Sequence, residues 1–108
     1  MENMTDLQKK NIKGLTGETF RNIYELDNAL QALDCWSVFD ELPVDDLIHD
    51  CNASWQCKNG YGYIITFTIP AKLKKAFDAY YNKKSIEGWK FMDVLEASKI
   101  KVTEVTEY

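Results

Sequence analysis

The stretch Tyr61–Ile69 constrains this chain more than any other. It is dense in aromatic and β-branched side chains, which suit a pleated, half-buried surface. Lys58-Asn59-Gly60 ahead of it is turn chemistry, and Pro70 behind it cannot donate to a sheet. Apolar side chains lie on both parities: Tyr63, Ile65 and Phe67 on one, Ile64 on the other. Such a strand is expected at the centre of a sheet, with both faces covered.

The elements around it follow from periodicity. Ile12 and Leu15, before the turn-like Leu15-Thr16-Gly17, suggest a short first strand within 8–16. Ile23, Leu26, Leu30 and Leu33 recur at helical spacing over 22–33, with Glu25, Asp27, Asn28 and Gln31 directed outward. Asn22 followed by Glu25 matches a capping box. After a turn through 34–42, Pro43 opens a second helix. Val44, Leu47, Ile48 and Cys51 form its inner face; Asp45, Asp46, His49 and Asp50 form its outer face. Leu73, Ala76, Phe77 and Tyr80 predict a helix over 71–82. Ser85 can cap another through Ile86, Trp89, Met92 and Leu95, although Gly88 weakens it. Ile100, Val102 and Val105 suggest a last strand. The order β-α-α-β-α-α-β implies one α/β domain over 1–108, with helices packed on a small parallel three-stranded sheet.

Charge is distributed unevenly along this frame. Nine of the seventeen acids lie between Glu18 and Asp50, with Arg21 the only base there. From Lys58 to Lys101 the balance reverses, with nine lysines against four acids. Such a charge pattern bears on partners more than on fold. A phosphate backbone would be repelled by the acidic half, and a cationic protein surface drawn to it. The low pI and the near absence of arginine argue against direct nucleic-acid recognition by the lysine-rich half. No apolar run approaches a membrane span, and no basic region precedes an apolar one at the start, so a cytoplasmic protein is expected. Three cysteines without framework spacing read as reduced thiols. Cys35, His49, Cys51 and Cys57 lack a Cys-x-x-Cys pair, and His49 and Cys51 diverge on their helix, so neither a metal nor any other cofactor is expected. His49, the one histidine, cannot share a helix face with Cys51, so no catalytic set is visible.

Three groups of residues resemble a known family. They are Gly17-Glu18-Thr19-Phe20-Arg21-Asn22-Ile23-Tyr24-Glu25-Leu26 through Leu30, then Asp46 through Trp55, then Glu96-Ala97. Together with acids on the second helix they resemble the barstar family of intracellular ribonuclease inhibitors. The resemblance implies that Asp46, Asp50, Trp55 and Glu96 face a nuclease active site. Two departures fall on that surface. Phe39-Asp40-Glu41-Leu42-Pro43 carries no glycine and one apparent insertion where the family has its inhibitory loop, and His49 stands where the family has a tryptophan. Trp36, Phe39 and Trp55 flank the acids as candidate aromatic anchors. The expected partner-binding set is therefore Phe39, Asp40, Asp46, His49, Asp50, Trp55 and Glu96. The expected protein is an acidic, non-enzymatic inhibitor of a basic nuclease, of the immunity or antitoxin type, monomeric when free. The alternative is a phage-type inhibitor of a host or defence nucleic-acid enzyme, working by the same mimicry of phosphate.

Overall fold

The computed structural model describes residues 4–107. Its elements are α1 (Met4–Lys13), β1 (Thr19–Phe20), α2 (Ile23–Ala32), a 3-10 turn (Val38–Asp40), α3 (Val44–Asp50), β2 (Asn52–Gln56), β3 (Gly62–Thr68), α4 (Ala71–Phe77), α5 (Gly88–Glu96) and β4 (Ile100–Glu107). The sheet has four strands in the order β1-β4-β3-β2, and every pair is antiparallel. This corrects the parallel three-stranded sheet expected from the sequence. The reason is the turn at 58–60. It joins β2 to β3 as a hairpin, and a tight turn can only reverse direction. The helices of 22–50 then carry the chain from one edge strand to the other.

The first segment is also corrected. Residues 4–13 form a helix, with Ile12 fully buried, where a strand was expected. Polar contacts fasten it: Gln8 Nε2 donates to the Leu33 carbonyl at 2.8 Å, and Lys9 pairs with Glu107 at 2.7 Å.

One face of the sheet is apolar. Ala53 and Trp55, then Tyr63, Ile65 and Phe67, then Ile100 and Val102 all point into a single core with Ile23, Leu26, Leu30, Leu47, Leu73, Phe91 and Leu95 from the helices. β3 is internal to the sheet, as expected, but its second face is only half covered at Ile64 and Thr66. β4 changes parity in mid-strand. Phe67 pairs with Val102, but Thr66 pairs with Glu104 and Ile65 with Val105. The extra residue, Thr103, is a bulge whose hydroxyl donates to the Thr66 carbonyl at 3.2 Å. The bulge brings Val105 and Glu107 onto the face that Ile100 and Val102 occupy before it.

Helix ends are defined by local chemistry. Asn22 caps α2, its side chain accepting from Glu25 N at 3.0 Å. At the other end Asp34 takes the left-handed conformation (φ 66). Asp34 N bonds to Gln31 O and Cys35 N to Leu30 O, the two bonds of a Schellman ending. The expected helix over 71–82 stops being α-helical at Phe77. Residues Asp78–Asn82 form a wider π turn. α5 starts at Gly88, later than Ser85 would have it, and Gly88 is therefore its first residue. A Cβ at Gly88 would lie 3.3 Å from the Tyr80 hydroxyl, so the close approach of the π turn suits glycine there.

Candidate functional site: the acidic face

Eight of the nine acids between Glu18 and Asp50 reach solvent wholly or in part. Asp27 does not; it is 3% exposed. Its Oδ1 accepts from Trp55 Nε1 and Val38 N, both at 2.9 Å. Its Oδ2 accepts from Ser37 Oγ at 2.7 Å and Gln31 Nε2 at 2.8 Å. Four donors occupy the lone-pair positions of one carboxylate, which meets the demand of a buried acceptor. This group ties α2 to the 3-10 turn and to β2. Ser37 in turn caps that turn by accepting from Phe39 N at 3.3 Å. The sequence reading directed Asp27 outward. Its position four after Ile23 and three before Leu30 puts it on the inner stripe instead.

Trp55 is corrected likewise. It is fully buried, with its indole N–H spent on Asp27, so it presents nothing to a partner. Trp36, by contrast, is 54% exposed, with Lys58 Nζ 4.8 Å from its ring centroid. It lines a cavity of about 260 Å³ with Asp40, Glu41, Ser54 and Gln56.

The remaining expected residues fall into two groups. Asp46, His49 and Asp50 lie together on the solvent side of α3, while Leu47 and Ile48 hold its other side in the core. His49 Nδ1 is 2.8 Å from Asp50 Oδ1. Its ring lies 6.0 Å from Phe77, which stacks on Tyr81 at 4.6 Å. Burial pushes the Tyr81 hydroxyl above its usual range, and Asp45 and Asp46 add to that, so these carboxylates sit close to it. In the second group Phe39 is half-buried against Tyr24, ring centroids 5.1 Å apart. Burial raises the Tyr24 hydroxyl, and the Glu96 charge raises it further. Glu96 is exposed at the end of α5, where its carbonyl accepts from Asn22 Nδ2 at 3.0 Å.

Among the described residues lysine pairs with a carboxylate at Lys9–Glu107 and Lys83–Asp78. No lysine or arginine pairs with the acids of α3 or of the 3-10 turn among these residues. The face thus has carboxylates and flanking aromatic rings, with no lysine or arginine in ion-pair contact with them among the described residues. The nearby Cys51 thiol is held protonated by burial and donates to the Ile48 carbonyl at 3.5 Å. Among the described residues no three His, Cys, Asp or Glu side chains gather as metal ligands. No helix among them is long and apolar enough to cross a membrane.

The fold and this face define a small α/β protein with an antiparallel sheet and an exposed acidic surface. No protein-family model, curated protein or solved structure matches the chain.

Proposed function

We propose that this protein is a non-enzymatic inhibitor that covers the cationic, phosphate-binding cleft of a basic nuclease. The observation that carries the reading is the segment Asp34–Asp50. It holds six acids and no lysine or arginine, and five of those acids are exposed. Carboxylates spaced along such a surface stand in for substrate phosphates, and the complex works by occlusion. Asp46, His49 and Asp50 would occupy the cleft, with Phe77 and Tyr81 as apolar support beside them. Trp36, with Asp40 and Glu41, forms a second contact region. An exposed aromatic side chain within a polar rim is the usual composition of an energetic hot spot. The barstar-like words around Asp46 and Asp50 favour a ribonuclease as target. Because the sheet is antiparallel, the proposal leans on charge and exposure and not on shared architecture. A phage-borne inhibitor of a defence enzyme would use the same physics.

The test is titration of the protein into purified basic nucleases while cleavage of a labelled oligonucleotide is followed. Inhibition should be stoichiometric, and association should slow as salt rises, because screening acts over about 8–10 Å at physiological ionic strength. Asp50→Ala and Asp46→Ala should each weaken binding by about 2–5 kcal/mol, mainly through faster dissociation. Glu25→Ala, on α2, should bind as wild type. An on-rate indifferent to salt, with both aspartate variants still fully inhibitory, would sink the proposal.

A further inference from the structure

We infer that Cys35 and Cys57 form a thiol–disulfide modification site, whose co-reactant is a small-molecule disulfide such as oxidised glutathione. The inference is independent of the inhibitor reading. It stands on backbone geometry. Cys35 and Cys57 are joined as an isolated antiparallel bridge just beyond the end of β2. The flanking hydrogen bonds are Trp36 N to Gln56 O at 2.8 Å and Lys58 N to Asp34 O at 2.9 Å. That pattern makes the two cysteines a directly opposed, non-hydrogen-bonded pair. Such pairs have Cα atoms about 4.5 Å apart, within the range of roughly 4.4–6.8 Å that a disulfide spans. The side chains already point at one another, with the sulfurs in contact at 2.7 Å. Cys51, the third cysteine, lies elsewhere, at the end of α3.

Both thiols are buried, at 2% and 3% exposure, and burial favours their protonated form. Either sulfur can be the donor in their contact, so either cysteine can supply the attacking thiolate. Reaction therefore begins when the bridge opens locally beside exposed Trp36 and Lys58. The thiolate of one cysteine attacks one sulfur of the small disulfide and expels a thiolate. The thiolate of the other cysteine then attacks the mixed disulfide at the protein sulfur and expels the second. Two protein S–H bonds are lost and one S–S bond forms. The small disulfide is reduced to two thiols, which take up the two protons.

The bond would close a loop containing the 3-10 turn, α3 and β2, and so would lock the segment that carries the acidic face. The test uses the Cys51→Ser variant, in which the pair is intact and no third thiol can compete. The folded protein is exposed to oxidised glutathione, alkylated, and read by intact mass and peptide mapping. The expected result is loss of both alkylation sites, a 35–57 linked peptide, and a thermal midpoint higher by roughly 10 °C. Added reductant should return the midpoint to its starting value. In Cys35→Ser a stable glutathione adduct should accumulate on Cys57. Two alkylatable thiols remaining after oxidation during a complete unfolding–refolding cycle would overturn the inference. So would a linked protein with a lower midpoint than the dithiol.

Discussion

Asp27 and Asp50 are the same side chain in the same acidic half of the chain, and they do opposite things. Asp27 is enclosed by four donors from three parts of the fold and holds the 3-10 turn against the core. Asp50 stands in solvent with His49 Nδ1 2.8 Å from its Oδ1. An exposed pair of that kind adds little to stability. The difference shows that a charge count along a sequence mixes two populations. Carboxylates that meet buried donors are part of the architecture. Carboxylates left without a lysine or arginine are available to a partner. The two tryptophans that flank the acidic segment divide the same way, Trp55 inward and Trp36 outward.

That division predicts unequal consequences. The largest is at the tryptophans. Trp55→Ala removes the largest fully buried side chain and leaves one lone pair of the Asp27 carboxylate without its donor. It should destabilise the fold by about 3–5 kcal/mol in urea unfolding. Trp36→Ala loses only an exposed ring and its contact with Lys58, and should change stability by less than about 1 kcal/mol. Equal effects at the two positions would break the comparison.

An intermediate effect should appear with pH. Burial raises all three thiols above their ordinary value of 9.0. The unfolded chain therefore loses those protons first as pH rises. The folded state then binds more protons than the unfolded one, so stability falls with increasing pH. The contribution should be fully present below the ordinary thiol range and decline above it. Thermal midpoints across that range should decline for wild type and decline less for Cys35→Ala/Cys57→Ala. Tyr24, Tyr63 and Tyr81, whose hydroxyls burial also raises, contribute a similar decline at still higher pH in both proteins.

The smallest effect concerns Asp34. Its carboxylate is exposed, and its backbone is left-handed at the end of α2, where glycine carries no steric penalty. Asp34→Gly should stabilise by about 0.5–1 kcal/mol, read as a shift in the urea midpoint at constant slope.

Much of this structure was legible in advance where one signal dominated. The inner stripe Ile23, Leu26, Leu30 located α2, and Asn22 marked its start. Pro43 and the Leu47–Ile48 pair located α3 with the right side outward. The dense apolar run located β3. Topology was not legible from element order alone. β2 reads Asn-Ala-Ser-Trp-Gln, poor in β-branched residues, and its strand identity lies in the alternation Ala53, Trp55, Cys57 before the 58–60 turn. α1 escaped detection because, among its described side chains, Ile12 alone is buried and its neighbours are mostly polar, which leaves little periodicity to detect. Within the candidate face, the α3 carboxylates followed from helix phase. The burial of Trp55 did not, because it depends on a carboxylate that lies 28 positions earlier in the chain.

Urea unfolding of Asp27→Asn beside Asp50→Asn tests the division between architectural and available carboxylates most directly. The amide keeps the shape of the side chain but replaces one acceptor oxygen with a donor. At position 27 the charge-assisted bonds are lost and the new donor is met only if Ser37 and Gln31 turn to accept, so stability should fall by about 1–3 kcal/mol. At position 50 the change should stay within about ±0.5 kcal/mol. Asp27→Asn as stable as wild type, or Asp50→Asn as damaging as Asp27→Asn, would contradict the account.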